Sequence, residues 1–389
     1  MNGERPNVVV IYHCYPHYRK AVVEALARSD EANFTFVGDV QEYLDNGVEP
    51  AQFSATVRFR LAPARHLFGP FMWQWGAVRW ATRREFDTVI MHAVPHWPCT
   101  WVGGVLARLL GKRVIFWGHG YLARPKGLKG LIRRLFYAIP TTHMFYSRLA
   151  KAYALETGWP PERLHVIHNS LDTDAQRIIR EAWTPGQRRD LREQLFGDAS
   201  VPVVGCTSRL IPMRRLHELL EAVASLRDRG LRANIVLVGD GPERSRLERL
   251  AKDLGLRTHF EGACYDEARI GSLIMSCNVI VSPGKTGLTA VHSIGFGVPV
   301  VSHGDPDDQG PEWEAIIPGR TGSYFRSGDV TSLAAAIEPW LRSQEIEPEV
   351  RRACIALVDR FWNPQFQCSA IMRAVRGEPA CDFPQGSVL

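Results

Sequence analysis

The sequence predicts an α/β protein made of two successive doubly wound units, each with a parallel sheet covered by helices. Strand-like and helical patterns alternate along the chain with short connections, which is typical of parallel sheets. This alternation occurs twice, on either side of a polar, Arg-rich stretch at 177–200. The chain has 389 residues, a length that suits two domains better than one core.

Short apolar runs predict the strands of the first half, and helical spacing predicts the helices between them. The predicted strands are 8–12, 34–38, 88–92, 113–117, 142–146 and 164–167, and the predicted helices are 18–28 and 101–110.

The stretch 177–200 contains Trp183-Thr184-Pro185-Gly186 and is predicted to be a linker. A second alternating set follows it, and the segment 348–377 is predicted to be largely helical. The strands of this set are predicted at 201–207, 234–238, 258–261 and 279–282, with helices at 216–227 and 243–254.

Composition is that of a soluble globular protein, with 45% hydrophobic and 23% charged residues. The formal net charge of +6 favours phosphorylated partners, but no zinc-finger spacing or basic helix indicates nucleic acid. Eight scattered cysteines lack metal-ligand spacing and are expected to be reduced and buried. The chain shows no signal peptide and no apolar run of ~20 residues, so a cytoplasmic location is expected.

The stretch 279–301 is the most informative part of the chain. It reads as a buried strand, a Gly-rich turn, a helix, a small-residue turn and a second buried strand. The loop from Pro283 to Leu288 precedes the helix, and the first N–H groups of a helix are unpaired and attract anions. A phosphorylated ligand is therefore expected at this loop.

This stretch resembles the donor-binding segment of retaining glycosyltransferases of family 4, which have the two-domain GT-B fold. Gly287-Leu288 and Gly297-Val298-Pro299-Val300-Val301 fit the family pattern. The family's two Glu positions fall on Gly284 and His292, and its first Gly falls on Lys285. With these departures the chain resembles a divergent subgroup of the family, similar to the enzymes that assemble bacterial capsule and O-antigen.

The resemblance implies that this segment contacts the sugar and ribose of a nucleotide-diphosphate sugar. His292 can still hydrogen-bond a hydroxyl, whereas Gly284 has no side chain to do so. The implied donor-binding residues of the segment are Gly284, Lys285, Thr286, Gly287, Leu288, Thr289 and His292.

Two arginines follow the predicted strand 201–207. Arg209 and Arg214 match the family's Gly-Arg-Leu-x-x-x-Lys motif, with Ser208 in place of the Gly and Arg214 in place of the Lys. The resemblance implies that both bind the donor diphosphate and stabilise it as the leaving group. A planar guanidinium suits phosphate oxygens, and fixed cations stabilise charge that grows in the transition state.

His119 follows a predicted strand and lies between Gly118 and Gly120, which let a ligand approach closely. Family members similarly carry a His here, which implies contact with the donor sugar. The resemblance also places Asn169 at the interdomain turn, although an Asn-Ser turn after a strand is common. Glu261 and Tyr265 would lie beside the nucleobase.

Two stretches of the first half mix aromatic or apolar residues with cations. They run from Arg65 to Arg84 and from Arg124 to Phe136. Such mixtures are typical of interfacial membrane binders, and a lipid-linked acceptor at the inner membrane surface would account for both. A packed aromatic cluster and a solvated basic face would account for them equally well.

The predicted function is retaining transfer of a sugar from a nucleotide-diphosphate sugar to a hydroxyl of a lipid-linked glycan, without a metal or other cofactor. Residues 1–180 would bind the acceptor, 181–360 the nucleotide sugar, and 361–389 would form a helix that crosses back to the first domain. Two alternatives remain open: a non-catalytic nucleotide-sugar-binding subunit, and a GT-B sugar-nucleotide 2-epimerase. The lost Glu pair favours the first of these and does not help the second.

Overall fold

The computed structural model describes residues 5–40, 49–121 and 127–380, which form two compact units. The first unit contains the described residues up to Asp172 and again from Trp362, and the second contains Thr173–Phe361. The chain therefore leaves the first unit eight residues before the predicted boundary at 180 and returns to it close to the predicted 361.

The first unit is built on a seven-stranded parallel sheet in the order β3-β2-β1-β6-β7-β8-β9. A separate antiparallel hairpin, β4–β5, precedes β6. The strands of the unit are β1 Asn7–Cys14, β2 Asn33–Asp39, β3 Phe59–Leu61, β4 Ala64–Phe68, β5 Phe71–Gln74, β6 Thr88–His92, β7 Arg113–Gly118, β8 Thr142–Phe145 and β9 Leu164–Val166.

Helices cover both faces of this sheet. Along β1, Val9 and Ile11 pack into one apolar cluster, and Val8 and Val10 pack into another on the opposite face, as the two-residue period of a strand requires. The helices of the unit are α1 Lys20–Ala27, α2 Ala77–Thr82, α3 Pro98–Leu109, α4 Gly127–Tyr137, α5 Arg148–Glu156 and α14 Pro364–Arg376.

The second unit is built on a six-stranded parallel sheet in the order β12-β11-β10-β13-β14-β15. Its strands are β10 Val203–Thr207, β11 Asn234–Val238, β12 Thr258–Gly262, β13 Val279–Ser282, β14 Val300–His303 and β15 Gly322–Phe325. Its helices are α6 Thr173–Ala182, α7 Pro185–Phe196, α8 Leu216–Asp228, α9 Arg244–Asp253, α10 Glu267–Ser276, α11 Leu288–Gly295, α12 Val330–Leu341 and α13 Pro348–Phe361.

The prediction that 177–200 is a linker was wrong, because most of this stretch is helical in α6 and α7. Thr184 caps α7 in a reciprocal capping box with Gln187, Pro185 occupies its first turn, and Gly197 ends it in the left-handed conformation. The residues that suggested a break in structure are therefore the end signals of a helix.

Two arginines of α7 are buried, although the Arg-rich composition suggested a solvated segment. The guanidinium of Arg192 donates to the carbonyl oxygen of Ser276 at 2.7 Å and to the side-chain oxygen of Asn278 at 2.7 Å. Asn278 also accepts from the amide of Val203 at 2.9 Å. These bonds fasten α7 to the start of two central strands, β10 and β13.

The helix α14 packs against α1 and against β7, β8 and β9 of the first unit. Gln367 on α14 donates to the carbonyl oxygen of His168 at 2.7 Å and accepts from the hydroxyl of Ser170 at 2.6 Å. The predicted C-terminal segment extends to 389, and its last nine residues lie outside the described part of the chain. No helix in the described ranges combines the length and apolar character needed to cross a bilayer.

Candidate functional site

In the second unit the sheet reverses its winding between β10 and β13. The chain runs outward through β11 and β12 on one side and through β14 and β15 on the other. Ligands of open parallel sheets bind at the carboxyl ends of the strands where the order reverses. Thr207 ends β10 and Ser282 ends β13, so the segments that follow these two residues form the candidate site.

Arg209 and Arg214 bring two positive charges to this place. Arg209 is exposed just beyond β10, and Arg214 ends a 3₁₀ turn, Pro212–Arg214, where its Nη1 donates to the carbonyl oxygen of Lys285. Burial lowers the pKa of Arg214, and the nearby charge of Arg209 lowers it further. No carboxylate of the described residues pairs with either guanidinium. Two close cations without a neutralising partner attract an anion.

The backbone of Gly284 lies directly against the segment 208–215, which carries Arg209 and Arg214 and which we call the arginine loop. Its amide donates to the carbonyl oxygen of Arg214 at 3.1 Å, and a β-carbon built on it would overlap the carbonyl oxygen of Met213. The position at which the related family carries a Glu therefore has no room for a side chain. In this structure the arginine loop fills the space that a Glu side chain would need.

Thr286 is fixed by Gln309, a residue that the sequence analysis did not identify. The amide of Thr286 donates to Oε1 of Gln309 at 2.8 Å, and Nε2 of Gln309 donates to Ser302 at 3.0 Å and to the carbonyl oxygen of His303 at 2.9 Å. The amides of Gly284 and Thr286 are thus engaged within the protein. The prediction of an anion site at this loop therefore depends on the start of α11, which follows Gly287.

Residues in the first two turns of α11 contact different elements of the second unit. Leu288 begins the helix, and the hydroxyl of Thr289 donates to the carbonyl oxygen of Thr207 at 2.7 Å, which joins α11 to the end of β10. His292, one turn further on, places its Nε2 2.8 Å from Oε1 of Glu267 on α10. The side chain at the family's second Glu position therefore contacts a carboxylate of a neighbouring helix.

Glu261 has its carboxylate engaged on both oxygens. Arg269 donates to them at 2.6 and 2.8 Å, and Nε2 of His259 lies 2.7 Å from Oε2. The hydrogen bonds from Arg269 and His259 hold the pKa of Glu261 down at about 2. Tyr265, four residues later, is 60% exposed. The carboxylate of Glu261 is thus engaged within the protein, whereas the ring of Tyr265 is largely exposed.

The first unit carries a second set of candidate residues at the carboxyl end of its sheet. His119 follows β7 and is exposed, and its ring lies 5.1 Å from that of Tyr146. Gly118 and Gly120 flank it, and Gly120 has a φ of +68° with Phe145 2.7 Å from where a β-carbon would lie. The chain can therefore turn sharply here only with glycine.

Two histidines that the sequence analysis missed lie near His119. His13 in β1 and His92 at the end of β6 stack with ring centroids 4.2 Å apart, at the point where the order of this sheet reverses. Burial lowers the pKa of His13 to about 3, and the charges of Arg19 and His119 lower it further. Burial, His13, Arg19 and His119 also lower the pKa of His92. The signal in the sequence was their position at the ends of two apolar strands.

Asn169 lies in a turn held in place by α14. The preceding His168 has a φ of +51° and stacks on Trp362 with ring centroids 4.1 Å apart. Ser170, which follows, hydrogen-bonds Gln367. The turn is therefore rigid on both sides of Asn169, which is partly exposed.

The two stretches proposed for the acceptor adopt different structures. Residues 64–74 form the hairpin β4–β5, on which Phe68 is 69% exposed, and Trp75, just beyond it, is 60% exposed. Trp73 and Trp80 pack against the apolar cluster of the unit. Of the second stretch, residues 124–126 lie outside the described part of the chain, and the rest forms α4.

Two successive doubly wound units, the second with Arg209 and Arg214 beyond the strand at its point of reversal, have the architecture of the GT-B class. Solved structures bear this out. The Anabaena protein Alr3699/HepE, solved in complex with UDP, superposes with a TM-score of 0.69 at 18% identity, and the match covers 95% of this chain and 99% of that protein. The lipopolysaccharide outer core galactosyltransferase WaaB, in its apo form, gives 0.68 at 12% identity over 95% and 99%.

Family models match both halves of the chain. Residues 7–175 match "Glycosyltransferase Family 4", and residues 187–356 match "Glycosyl transferases group 1". The chain belongs to the GT-B glycosyltransferases related to family 4.

Curated relatives match over part of their length. A GDP-mannose-dependent alpha-(1-6)-phosphatidylinositol monomannoside mannosyltransferase of Mycolicibacterium smegmatis is 28% identical over 56% of this chain and 56% of its own. The lipopolysaccharide core biosynthesis glycosyltransferase LpsE of Rhizobium meliloti is 34% identical over 38% and 42%. The matched stretches thus span about half the length of these relatives.

Proposed function

We propose that this protein transfers a sugar, with retention of configuration, from a nucleoside-diphosphate sugar to a hydroxyl of a lipid-linked glycan in bacterial surface polysaccharide synthesis. The observation that carries the proposal is the pair Arg209 and Arg214, which lies at the reversal point of the second unit with no carboxylate partner among the residues that the structure describes. The proposal is supported by the Anabaena neighbour, which was solved with the nucleoside diphosphate UDP, and by the fit of guanidinium groups to phosphate oxygens.

The arginine pair accounts for leaving-group chemistry. As the bond from the sugar to the diphosphate breaks, negative charge grows on the phosphate oxygens, and two fixed guanidinium groups stabilise it more in the transition state than in the ground state. Arg214 is held in place by the carbonyl oxygen of Lys285, so little reorganisation is needed. In the proposed reaction the departing phosphate accepts the proton of the attacking hydroxyl, and no metal ion takes part.

The test is a thermal-shift and turnover series with UDP- and GDP-sugars. One donor should raise the melting temperature of wild type, and Arg209→Ala should lose this increase. A ligand at 100 times its dissociation constant adds about 2.7 kcal/mol to the free energy of unfolding. Arg214→Lys should retain more of the shift than Arg214→Ala. Arg232→Ala, an exposed arginine of the same unit, is the control and should behave as wild type.

Each alternative activity has its own outcome in this series. The donor site is contradicted if Arg232→Ala also loses the stabilisation by the donor, or if no donor stabilises wild type. Interconversion of donor epimers without any acceptor would indicate the epimerase, and stabilisation without turnover would indicate a binding subunit.

The proposal of a lipid-linked acceptor is supported by an apolar surface on the first unit, which we call the α3–α4 face. The two helices are neighbours, since the rings of Trp101 and Phe136 lie 5.1 Å apart. Their outward apolar side chains are Val102, Val105, Leu106, Leu109, Leu110, Leu128, Leu131, Ile132 and Leu135, each at least 38% exposed. Exposed apolar side chains that occur singly need no explanation, but nine on or next to two neighbouring helices support a binding surface here.

Charge around the α3–α4 face complements an anionic membrane. The sequence has no Asp or Glu between Asp87 and Glu156, whereas Lys129, Arg133 and Arg134 all belong to α4. Apolar side chains beside cations are the combination that holds peripheral proteins at anionic bilayers. We therefore place the lipid of the acceptor at this surface.

Vesicle sedimentation tests the membrane contact. Wild type should bind vesicles of phosphatidylcholine with 30% phosphatidylglycerol and bind less as salt rises, whereas Leu109→Glu with Leu131→Glu should bind about tenfold less. Ile178→Glu, at an apolar residue that is 69% exposed on the second unit, is the matched control. Equal binding by the double variant and the control would contradict the surface.

A further inference from the structure

The contact between His292 and Glu267 places a carboxylate beside α11, the helix that follows the loop after β13. Oε1 of Glu267 lies 2.8 Å from Nε2 of His292 and 3.4 Å from Nε2 of Gln176, which donates to it. Glu267 is the first residue of α10, which Asp266 caps by accepting from the amides of Ala268 and Arg269. The carboxylate is therefore held by two neighbouring side chains on a helix end that is itself fixed.

Exposure distinguishes the two partners. The side chain of His292 is 16% exposed and that of Glu267 is 40% exposed. The imidazole thus lies mostly within the protein, whereas the side chain of Glu267 reaches the surface of the unit.

Glu267 also connects the two ends of the candidate nucleotide site. Through His292 it contacts α11, which starts at the loop beside Arg214 and is tied by Thr289 to the end of β10. Along the chain it follows the exposed ring of Tyr265 by two residues. A nucleotide has its ribose between phosphate and base, and Glu267 is joined to both predicted parts of the site, to α11 by its contact with His292 and to Tyr265 by the chain.

The chemistry of the group suits a ribose. A carboxylate only accepts hydrogen bonds, and the 2′- and 3′-hydroxyls of ribose are two adjacent donors. Carboxylates of α/β nucleotide-binding folds recognise ribose hydroxyls in this way. Gly284 and His292, the positions where related proteins carry a Glu, cannot supply that group in this chain.

We propose that Glu267 recognises the ribose hydroxyls of the donor nucleotide and that His292 is a positioning residue that orients its carboxylate. The proposal rests on the donor site proposed above. It means that the carboxylate has moved from α11 to α10, and that the imidazole at the vacated position supports it.

Titration calorimetry with UDP, GDP and their 2′-deoxy forms tests this. Wild type should bind the ribose form of its preferred nucleotide about 10- to 100-fold more tightly than the deoxy form, since the deoxy form lacks a hydroxyl that donates to the carboxylate. Glu267→Ala should reduce this ratio to about twofold and leave the affinity for the deoxy form within about threefold of wild type.

His292→Gln should reduce the ratio partly, because the amide retains a donor, and His292→Phe should reduce it nearly as far as Glu267→Ala. A purely structural role of His292 would weaken both nucleotide forms together and leave the ratio unchanged. Glu221→Ala, at an exposed carboxylate on α8, is the control and should keep the wild-type ratio.

The outcomes separate the two proposals. If wild type binds neither UDP nor GDP, the donor site is wrong and this inference falls with it. If wild type binds a nucleotide and Glu267→Ala keeps the preference for the ribose form, only the role of Glu267 is overturned. The same holds if Glu267→Ala loses affinity for the ribose and deoxy forms equally while its unliganded melting temperature is unchanged. Glu267→Gln keeps the size of the side chain and serves if the Ala variant does not fold.

Discussion

Gly284 lies so close to Met213 that a β-carbon at position 284 would overlap the carbonyl oxygen of Met213 and lie 3.0 Å from Cα of Arg214. The amide of Gly284 donates to the carbonyl oxygen of Arg214 at 3.1 Å. The loop after β13 and the loop after β10 are therefore packed backbone to backbone. The position of Arg214 depends on the absence of a side chain at residue 284.

Substitution of Gly284 should displace the arginine loop. Gly284→Ala is expected to lower the free energy of unfolding by about 1–3 kcal/mol through overpacking and to weaken nucleoside-diphosphate binding at least tenfold. Gly284→Glu, which restores the family residue, should impair binding further instead of improving it. Chemical denaturation and calorimetry measure the two effects.

Gly287→Ala is the matched control for the free energy of unfolding, because a β-carbon there meets no atom within 4 Å and its φ of −140° lies outside the left-handed region. If Gly284→Ala and Gly287→Ala lower the free energy of unfolding alike, close packing against Met213 does not control the arginine loop.

Arg192 should be essential to the stability of the second unit. Arg192→Leu removes charge-assisted hydrogen bonds to Ser276 and Asn278 and leaves their buried oxygens without that donor, at an expected cost of about 3 kcal/mol. Urea unfolding followed by circular dichroism measures the change.

Arg189 lies on the same helix and is exposed, so Arg189→Leu should change the free energy of unfolding by less than about 0.5 kcal/mol. An equal loss in the two variants would show that helix propensity, and not the buried bonds, is responsible.

His143 in β8 should make the first unit sensitive to acid. Burial lowers its pKa to about 3 in the folded protein, whereas the unfolded value is about 6.5. The unfolded state therefore binds a proton that the folded state does not, and stability is lost as pH falls from about 6.5 towards 3.

Replacement of His143 by Phe removes this proton linkage. His143→Phe should be more stable than wild type by a margin that grows by up to about 1.4 kcal/mol per pH unit over that window. His66→Phe, at an exposed histidine, should leave the pH slope of unfolding unchanged. A wild-type slope in His143→Phe would contradict the assignment.

Glu261 should stabilise the protein at neutral pH through Arg269. Its folded pKa of about 2 lies below the usual Glu value, chiefly because Arg269 donates to it, so the contribution is complete above about pH 4.5 and is lost as pH falls towards 2. Glu261→Gln should lower the free energy of unfolding by about 1–2 kcal/mol at pH 7.

Melting curves from pH 7 to pH 2.5 check this expectation, because the difference between Glu261→Gln and wild type should shrink as the pH falls. Nucleotide affinity should change by less than about threefold. A large loss of affinity at unchanged stability would instead place Glu261 in direct contact with the base.

Much of the fold could be predicted from the sequence because parallel strands are buried on both faces and read as short apolar runs. Val279–Ser282 and Asn234–Val238 have the predicted bounds, and both are fully buried. The family motif predicted Arg209, Arg214 and the loop after β13 as site residues, and the structure brings these three features together. The wrong linker prediction had a specific cause: in α7 the cap residues and buried arginines have the composition of a surface segment.

The sequence by itself determined two doubly wound units, the order of their strands along the chain, and the cations and glycines at the strand ends, since these depend on local pattern and spacing. Only the tertiary structure decided which side chains meet. It paired His292 with Glu267, stacked His13 on His92, engaged both oxygens of Glu261 and closed the space at Gly284. Contacts between residues distant in the chain depend on packing and hydrogen bonding across elements, which no local pattern encodes.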